Sequence, residues 1–291
     1  MLSRRQLRVK VLQGLYAYFQ SDKRDLAAAE RELFRSIEKV HELYIYLLRF
    51  LLETADAEES DEKELQHKYF PDQEELDAKR RFYRSPFIIA LKSSSEFELY
   101  CRRYSISWQK DHELVRKLFV ELKRSATYRA YITTETIDES VFIAELIKTY
   151  LDESEPMSHH IEEENIFWTE DFSFVSHMVA RTVRQFFEKS RFELFGPYRD
   201  EKDDKDFVKT LFSKTIVHNK EYEAAVSERT KNWDLERIAM MDILLLKMAL
   251  AELVHFSGIP VKVSINEYIE ISKDFSTPKS KQFINGIIDK L

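Results

Sequence analysis

Gly258-Ile259-Pro260-Val261-Lys262-Val263-Ser264-Ile265-Asn266-Glu267-Tyr268-Ile269 is the stretch that decides between an all-helical chain and one that carries strands. Val261, Val263 and Ile265 alternate as on a half-buried strand, yet Val261, Ile265, Tyr268 and Ile269 also fall at i, i+4, i+7 and i+8. Pro260 has no N–H to lose in a first helical turn, where that donor is unpaired anyway, and Gly258 ends whatever comes before it. The spacing predicts a helix opening at Val261.

Working outward, Ile238 to Phe256 is the most apolar stretch, interrupted by Asp242, Lys247 and Glu252. It is too short and too charged to span a bilayer. A helix apolar on nearly every side reads as a central, buried element, with Asp234 placed to cap it. On the C-terminal side, Pro278 is set to open a last helix that runs to Leu291.

Towards the N-terminus, Asp203 to Val226 and Phe167 to Phe192 each read as one helix, separated by a turn at Gly196-Pro197. Asp152 to Glu164, with Pro156, reads as a break. Helical patterns precede it at Phe87 to Tyr104, Gln109 to Tyr128 and Glu139 to Leu151. Leu65 to Pro86 is highly charged and punctuated by Pro71 and Pro86, as in a linker or short exposed helix. A long helix is predicted from near Asp25 to the acidic run at Asp56 to Glu64. Ser3 and Gln6 have capping-box spacing ahead of Leu7, Val11, Leu15 and Tyr18, so helix one should end near Gln20. The division expected is 1–160 for an extended N-terminal helical region and 161–291 for a C-terminal helical domain.

Composition agrees with an all-α, multi-helix fold. Four glycines and six prolines in 291 residues leave little material for tight hairpins or Gly-rich phosphate loops. The 44% hydrophobic content supports a real core. A single cysteine, Cys101, excludes an internal disulfide and a multi-thiolate metal site and suits a reducing compartment. The N-terminus lacks the apolar core of a secretory signal, so a cytoplasmic location without membrane contact is expected.

The common phosphate, zinc-protease and hydrolase signatures are absent, which points away from an enzyme and from a cofactor. E-x-x-H occurs as Glu38/His41, Glu64/His67 and Glu252/His255, and two such pairs on facing helices could hold two metals in a bundle. Against such a site, helix one offers no carboxylate and Glu64/His67 lies in a segment that reads as exposed and irregular, so these pairs read as solvated helix faces. Ser158-His159-His160 with Glu162 to Glu164 is a His/Glu cluster in a charged segment to which no metal is assigned. Cys101 beside Arg102 and Arg103 is either a thiol of lowered pKa or an inert half-buried cysteine.

The first helix carries more information. Residues 1–20 contain Arg4, Arg5, Arg8 and Lys10 and no acid, although the formal net charge of the chain is -7. Cations in a first turn oppose the helix dipole unless something offsets them, and phosphate is one such offset. Pairing with nearby acids is another. Tyr16, Tyr18 and Phe19 could stack on bases or pack as core.

Three motifs occur together in order and spacing. They are Asn232-Trp233-Asp234-Leu235-Glu236-Arg237-Ile238, Ile259-Pro260-Val261-Lys262-Val263-Ser264-Ile265-Asn266-Glu267, and Phe283-Ile284-Asn285-Gly286-Ile287-Ile288-Asp289-Lys290-Leu291. With Arg4-Arg5-Gln6-Leu7-Arg8 through Leu15-Tyr16, they resemble the N-utilisation substance B (NusB) family. The resemblance covers about residues 4–20 and 206–291; the stretch between is much longer than in the family. Lys279 stands where the family often has an acid.

The resemblance implies a non-catalytic, RNA-binding transcription antitermination factor acting on boxA-type, single-stranded elements of ribosomal RNA leaders. It implies as partners a small-subunit ribosomal protein that doubles as N-utilisation substance E, and the RNA polymerase elongation complex. By position, Arg4, Arg5, Arg8, Lys10 and Phe283 would meet RNA, and Tyr16 and Asp242 the ribosomal partner. Tyr16 and Phe283 could instead be core, and Asp242 could satisfy Lys247. The alternatives are a diverged helical scaffold that binds proteins but not RNA and, third, a di-metal helical-bundle enzyme.

Overall fold

The computed structural model describes residues 2–67, 69, 80–134, 137–229, 239–277 and 280–288. The 232–238 motif with the Asp234 cap, Pro278, Lys279 and residues 289–291 lie outside them.

Helix α1 (Arg4–Gln20) starts where Ser3 accepts from the Gln6 N–H and Gln6 Oε1 accepts from the Ser3 N–H, the reciprocal capping box. Leu7, Val11, Leu12 and Leu15 give it one buried face. Helix α2 (Leu26–Gln66) runs straight through the acidic segment expected to end it. The reason is electrostatic: the acids there have partners. Glu58 accepts from the Tyr128 hydroxyl (2.6 Å) and the Tyr83 N–H (2.8 Å), and Asp61 pairs with Arg80 (3.0 Å) and Lys123 (2.6 Å).

The following helices are shorter than the apolar spacing predicts, because serine caps restart the chain. Helices α3 (Pro86–Lys92) and α4 (Ser95–Arg103) divide at Ser94, whose hydroxyl caps the second. Helices α5 (His112–Arg124) and α6 (Ala126–Thr133) divide at Ser125 in the same way. Helix α7 (Glu139–Ile147) passes into a π-helical turn over Lys148–Asp152. The break expected at 152–164 is itself mostly helix, α8 (Glu155–Glu164), capped by Ser154 with Pro156 in its first turn, where a proline costs nothing. Helix α9 (Phe172–Lys189) stops at Ser190, which turns left-handed at φ 52°.

Helices α10 (Glu201–Val217) and α11 (Asn219–Arg229) replace the single helix expected there, parting at His218. Helix α12 (Met240–His255) buries Leu244, Leu245, Leu246, Met248, Ala249 and Ala251 and is central, as its pattern predicts. Helix α13 (Val261–Phe275) settles the opening question: Pro260 precedes it and Ser264, Tyr268, Ile269, Ile271 and Ser272 are buried. Helix α14 (Ser280–Ile288) is the last described. Fourteen α-helices and no strand occur among the described residues.

Two compact units result. Unit one is Met1–Glu38 with Gly196–Leu291, in which α1 packs on α10, α12 and α13, and α14 on α12 and α13. Unit two is Lys39–Phe195, in which the Tyr44 hydroxyl pairs with Thr182 Oγ1 (2.7 Å) and the Trp108 indole donates to the Tyr46 carbonyl (3.3 Å). The sequence-based division at 160/161 falls within unit two. Unit one is discontinuous because α1 completes the core of the C-terminal helices. No described helix is long and apolar enough to cross a membrane.

Candidate functional site

The capping box fixes the start of α1, and that start decides where its three arginines point. Arg4 forms ion pairs with Asp203 and, at 3.0 Å, with Asp204 on α10, and its guanidinium lies 4.2 Å above the Phe207 ring. Arg5 donates from Nε (2.9 Å) and a terminal nitrogen (2.8 Å) to the two oxygens of Glu267 on α13. Those bonds raise the Arg5 pKa and lower that of Glu267. Both arginines remain partly open to solvent, with side chains 33% and 44% exposed.

Arg8 is different. Its side chain is 2% exposed, and it donates from Nε (2.7 Å) and a terminal nitrogen (2.6 Å) to Glu252, which is fully buried on α12. Glu252 also accepts from the Ser264 hydroxyl (2.6 Å) and the Tyr268 hydroxyl (2.9 Å). Burial pulls the Arg8 guanidinium towards neutrality, and the bonds to Glu252, together with the electrostatic effects of Tyr268, Glu252 and Glu267, more than restore it. Burial, followed by the charge of Glu252, holds the Tyr268 phenol well above its usual range. This four-residue network locks α1, α12 and α13 together; it turns Arg8 inward, away from the solvent-facing position that the basic segment suggested.

Arg4, Arg5 and Arg8 share a groove of about 870 Å³ with Phe207, Phe256 and Ile259, in which Asp203, Asp206 and Glu267 balance the cations. The groove therefore offers forked donors over an aromatic base, Phe207 lying buried beneath Arg4 and Phe256 half-buried, with each exposed arginine already held by an acid. An anion entering it competes for these forks.

Lys10 is buried on α1, so it stands apart from this open end. Phe283 is half-buried on α14. The Glu270 carboxylate is held below its usual range chiefly by its hydrogen bond from Lys273, with smaller effects from the charges of Arg5 and of Lys281 on α14. Tyr16 is 41% exposed, a large aromatic ring facing solvent. Asp242 is buried in the first turn of α12, where one oxygen accepts from the Ser280 hydroxyl (2.7 Å) and the other has no hydrogen-bond partner among the described residues. It does not satisfy Lys247, which reaches Glu223 (2.7 Å) and Asn219 Oδ1 (2.8 Å) instead.

The E-x-x-H pairs do not assemble into a di-metal site among the described residues. Both ring nitrogens of His41 are taken, by the Tyr104 hydroxyl and the Phe195 carbonyl at 2.9 Å each. Glu252 is committed to Arg8, and His255 meets the Tyr222 hydroxyl at 3.2 Å. Glu64 and His67 lie exposed at the end of α2. The Cys101 thiol is pushed up to about 11 by burial, which gives the inert reading over the activated one.

The residues that sequence reasoning passed over are the acids. Glu252 interrupts a helix apolar on nearly every side, and such a charge requires a buried partner, which was the available signal. Nothing local in the sequence distinguishes Asp203, Asp204 and Glu267 from the chain's other acids, although Asp204 is buried.

Residues 175–291 match the model of the NusB family. The chain is 40% identical over 95 residues to a protein named transcription antitermination protein NusB of Salinibacter ruber, covering 33% of this chain and 59% of that one. It is 40% identical over 85 residues to the protein of that name from Chloroherpeton thalassium, covering 29% of this chain and 40% of that one. For that of Geobacter sulfurreducens the identity is 40% over 87 residues, covering 30% of this chain and 63% of that one. The chain thus spans between two fifths and two thirds of these relatives. No solved structure matches it.

Proposed function

We propose, from the premise that residues 175–291 are a NusB-family domain, that this chain is a non-catalytic, RNA-binding transcription antitermination factor. Its RNA is single-stranded and boxA-like, and its partners are a small-subunit ribosomal protein and the RNA polymerase elongation complex. The observation that carries this reading is the open end of α1: Arg4 and Arg5 present forked donors beside Phe207 at a groove of about 870 Å³. Forked donors suit phosphate, and the half-buried Phe256 ring lining the groove suits an unstacked base.

Within this reading Arg4 and Arg5 touch RNA, with Phe283 as a stacking residue. Arg8, through Glu252, sets the direction of α1, and Lys10 stays internal. Tyr16 meets the ribosomal protein; Asp242 shapes that face from beneath by fixing Ser280. Photocrosslinking a 4-thiouridine-labelled boxA-like RNA and mapping the adducts tests the placement. Adducts on α1 and α14 are expected, and adducts confined to residues 39–195 would overturn it.

One observation favours the scaffold alternative: both exposed arginines are already paired with acids. A ribosomal partner captured by a chain that shows no RNA affinity at low salt would select that reading.

A further inference from the structure

Unit two contains a His/carboxylate cluster that the antitermination reading does not use. His160 and Glu164 lie four apart on α8 and so share a face, and the 3₁₀ turn Gln109–Asp111 brings Asp111 to them. One ligand atom from each of the three lies within 4.8 Å of the others. We propose that Asp111, His160 and Glu164 bind one divalent transition-metal ion, of the zinc type.

The imidazole is held for this. Its Nε2 is 2.7 Å from the Tyr46 hydroxyl, and the ring is 11% exposed, next to Trp108 with centroids 5.2 Å apart. When Nε2–H donates to the Tyr46 oxygen, the Nδ1 lone pair faces the carboxylates, the outer-shell arrangement that orients metal-binding histidines. Nδ1 lies 3.9 Å from Asp111 Oδ1, too far for a hydrogen bond. Two ligands each about 2.1 Å from one ion stand roughly 3.4–3.9 Å apart at tetrahedral or wider angles, so the gap matches a bridged ion. Glu164 is exposed, so it can close on the ion while leaving a position to water. One imidazole with two carboxylates suits Zn²⁺, Mn²⁺ or Fe²⁺ better than an all-oxygen Mg²⁺ site.

The test is calorimetric titration of the full chain with Zn²⁺, with Mg²⁺ as control. Asp111→Asn, Glu164→Gln and His159→Ala are titrated alongside, the last because His159 and Glu163 form a neighbouring surface pair (3.2 Å). Saturable binding of one Zn²⁺ is expected, weakened at least tenfold by D111N and by E164Q and unchanged by H159A, with Co²⁺ giving visible absorption bands that D111N removes. Absence of saturable Zn²⁺ binding below about 100 µM, or binding that survives D111N and E164Q, would overturn the proposal. So would binding that depends on His159. The expected affinity range is that of three-ligand sites completed by water.

Discussion

Replacing Arg8 by Ala tests whether this residue is a buried anchor or a surface contact. In the anchor reading the change leaves the Glu252 carboxylate, 0% exposed, without the guanidinium that supplies two of its four hydrogen bonds. Breaking a buried pair in this way costs about 3–5 kcal/mol. At a urea slope of about 2 kcal/mol/M, that lowers the unfolding midpoint by roughly 1.5–2.5 M. Replacing both charges is gentler, because Arg8→Met with Glu252→Gln removes the stranded charge and leaves an acceptor for Ser264 and Tyr268. The double variant should regain at least half of the loss, measured by circular dichroism in urea. A midpoint for R8A within about 0.5 M of the parent, or a double variant no better than R8A, refutes the reasoning.

Glu267→Gln removes the acid that holds Arg5, at a partly exposed pair worth roughly 0.2–1 kcal/mol, so filter binding should show RNA affinity rising roughly 1.5- to 5-fold; unchanged or weaker binding goes against it. His41 is buried and its pKa is lowered to about 4, so the unfolded chain takes up its proton first. Stability attributable to His41 is therefore complete above about pH 6.5 and lost as pH falls towards 4, by about 3 kcal/mol. Melting temperatures of His41→Gln should flatten across that window relative to the parent. With its thiol raised to about 11 by burial, Cys101 should react with Ellman's reagent at pH 8 at least about 100-fold more slowly in the folded chain than in urea.

The capping box at Ser3 and Gln6 and the helix after Pro260 were legible because each depends on interactions within a few residues. The passage of α2 through Asp56 to Glu64 was not: a run of acids reads as solvated until Tyr83, Arg80, Lys123 and Tyr128 are brought to it from elsewhere in the chain. The division of helices at Ser94, Ser125 and His218 was missed for a different reason. Apolar spacing continues across each stop, while the hydroxyl cap or the turn is set by one residue.

For the candidate site, the sequence located the basic end of α1 but could not rank its arginines. Arg4, Arg5 and Arg8 are equivalent as letters. Only the packing of α1 on α12 and α13 turns Arg8 to Glu252 and leaves the other two at the groove. Asp242 was equally open between a partner surface and a pair with Lys247, and its actual burial follows from the first turn of α12 being covered at Ser280.

The most direct test of the account is fluorescence anisotropy of a labelled boxA-like RNA and its scrambled control, at several salt concentrations, with the parent chain and Arg4→Ala/Arg5→Ala. The parent should prefer the boxA-like RNA. The double variant should bind more weakly, with the slope of log affinity against log salt reduced by about 1.4, as when two phosphates of a single strand are no longer neutralised. Equal binding of both RNAs by the parent, or a salt slope unchanged in the variant, would contradict the account.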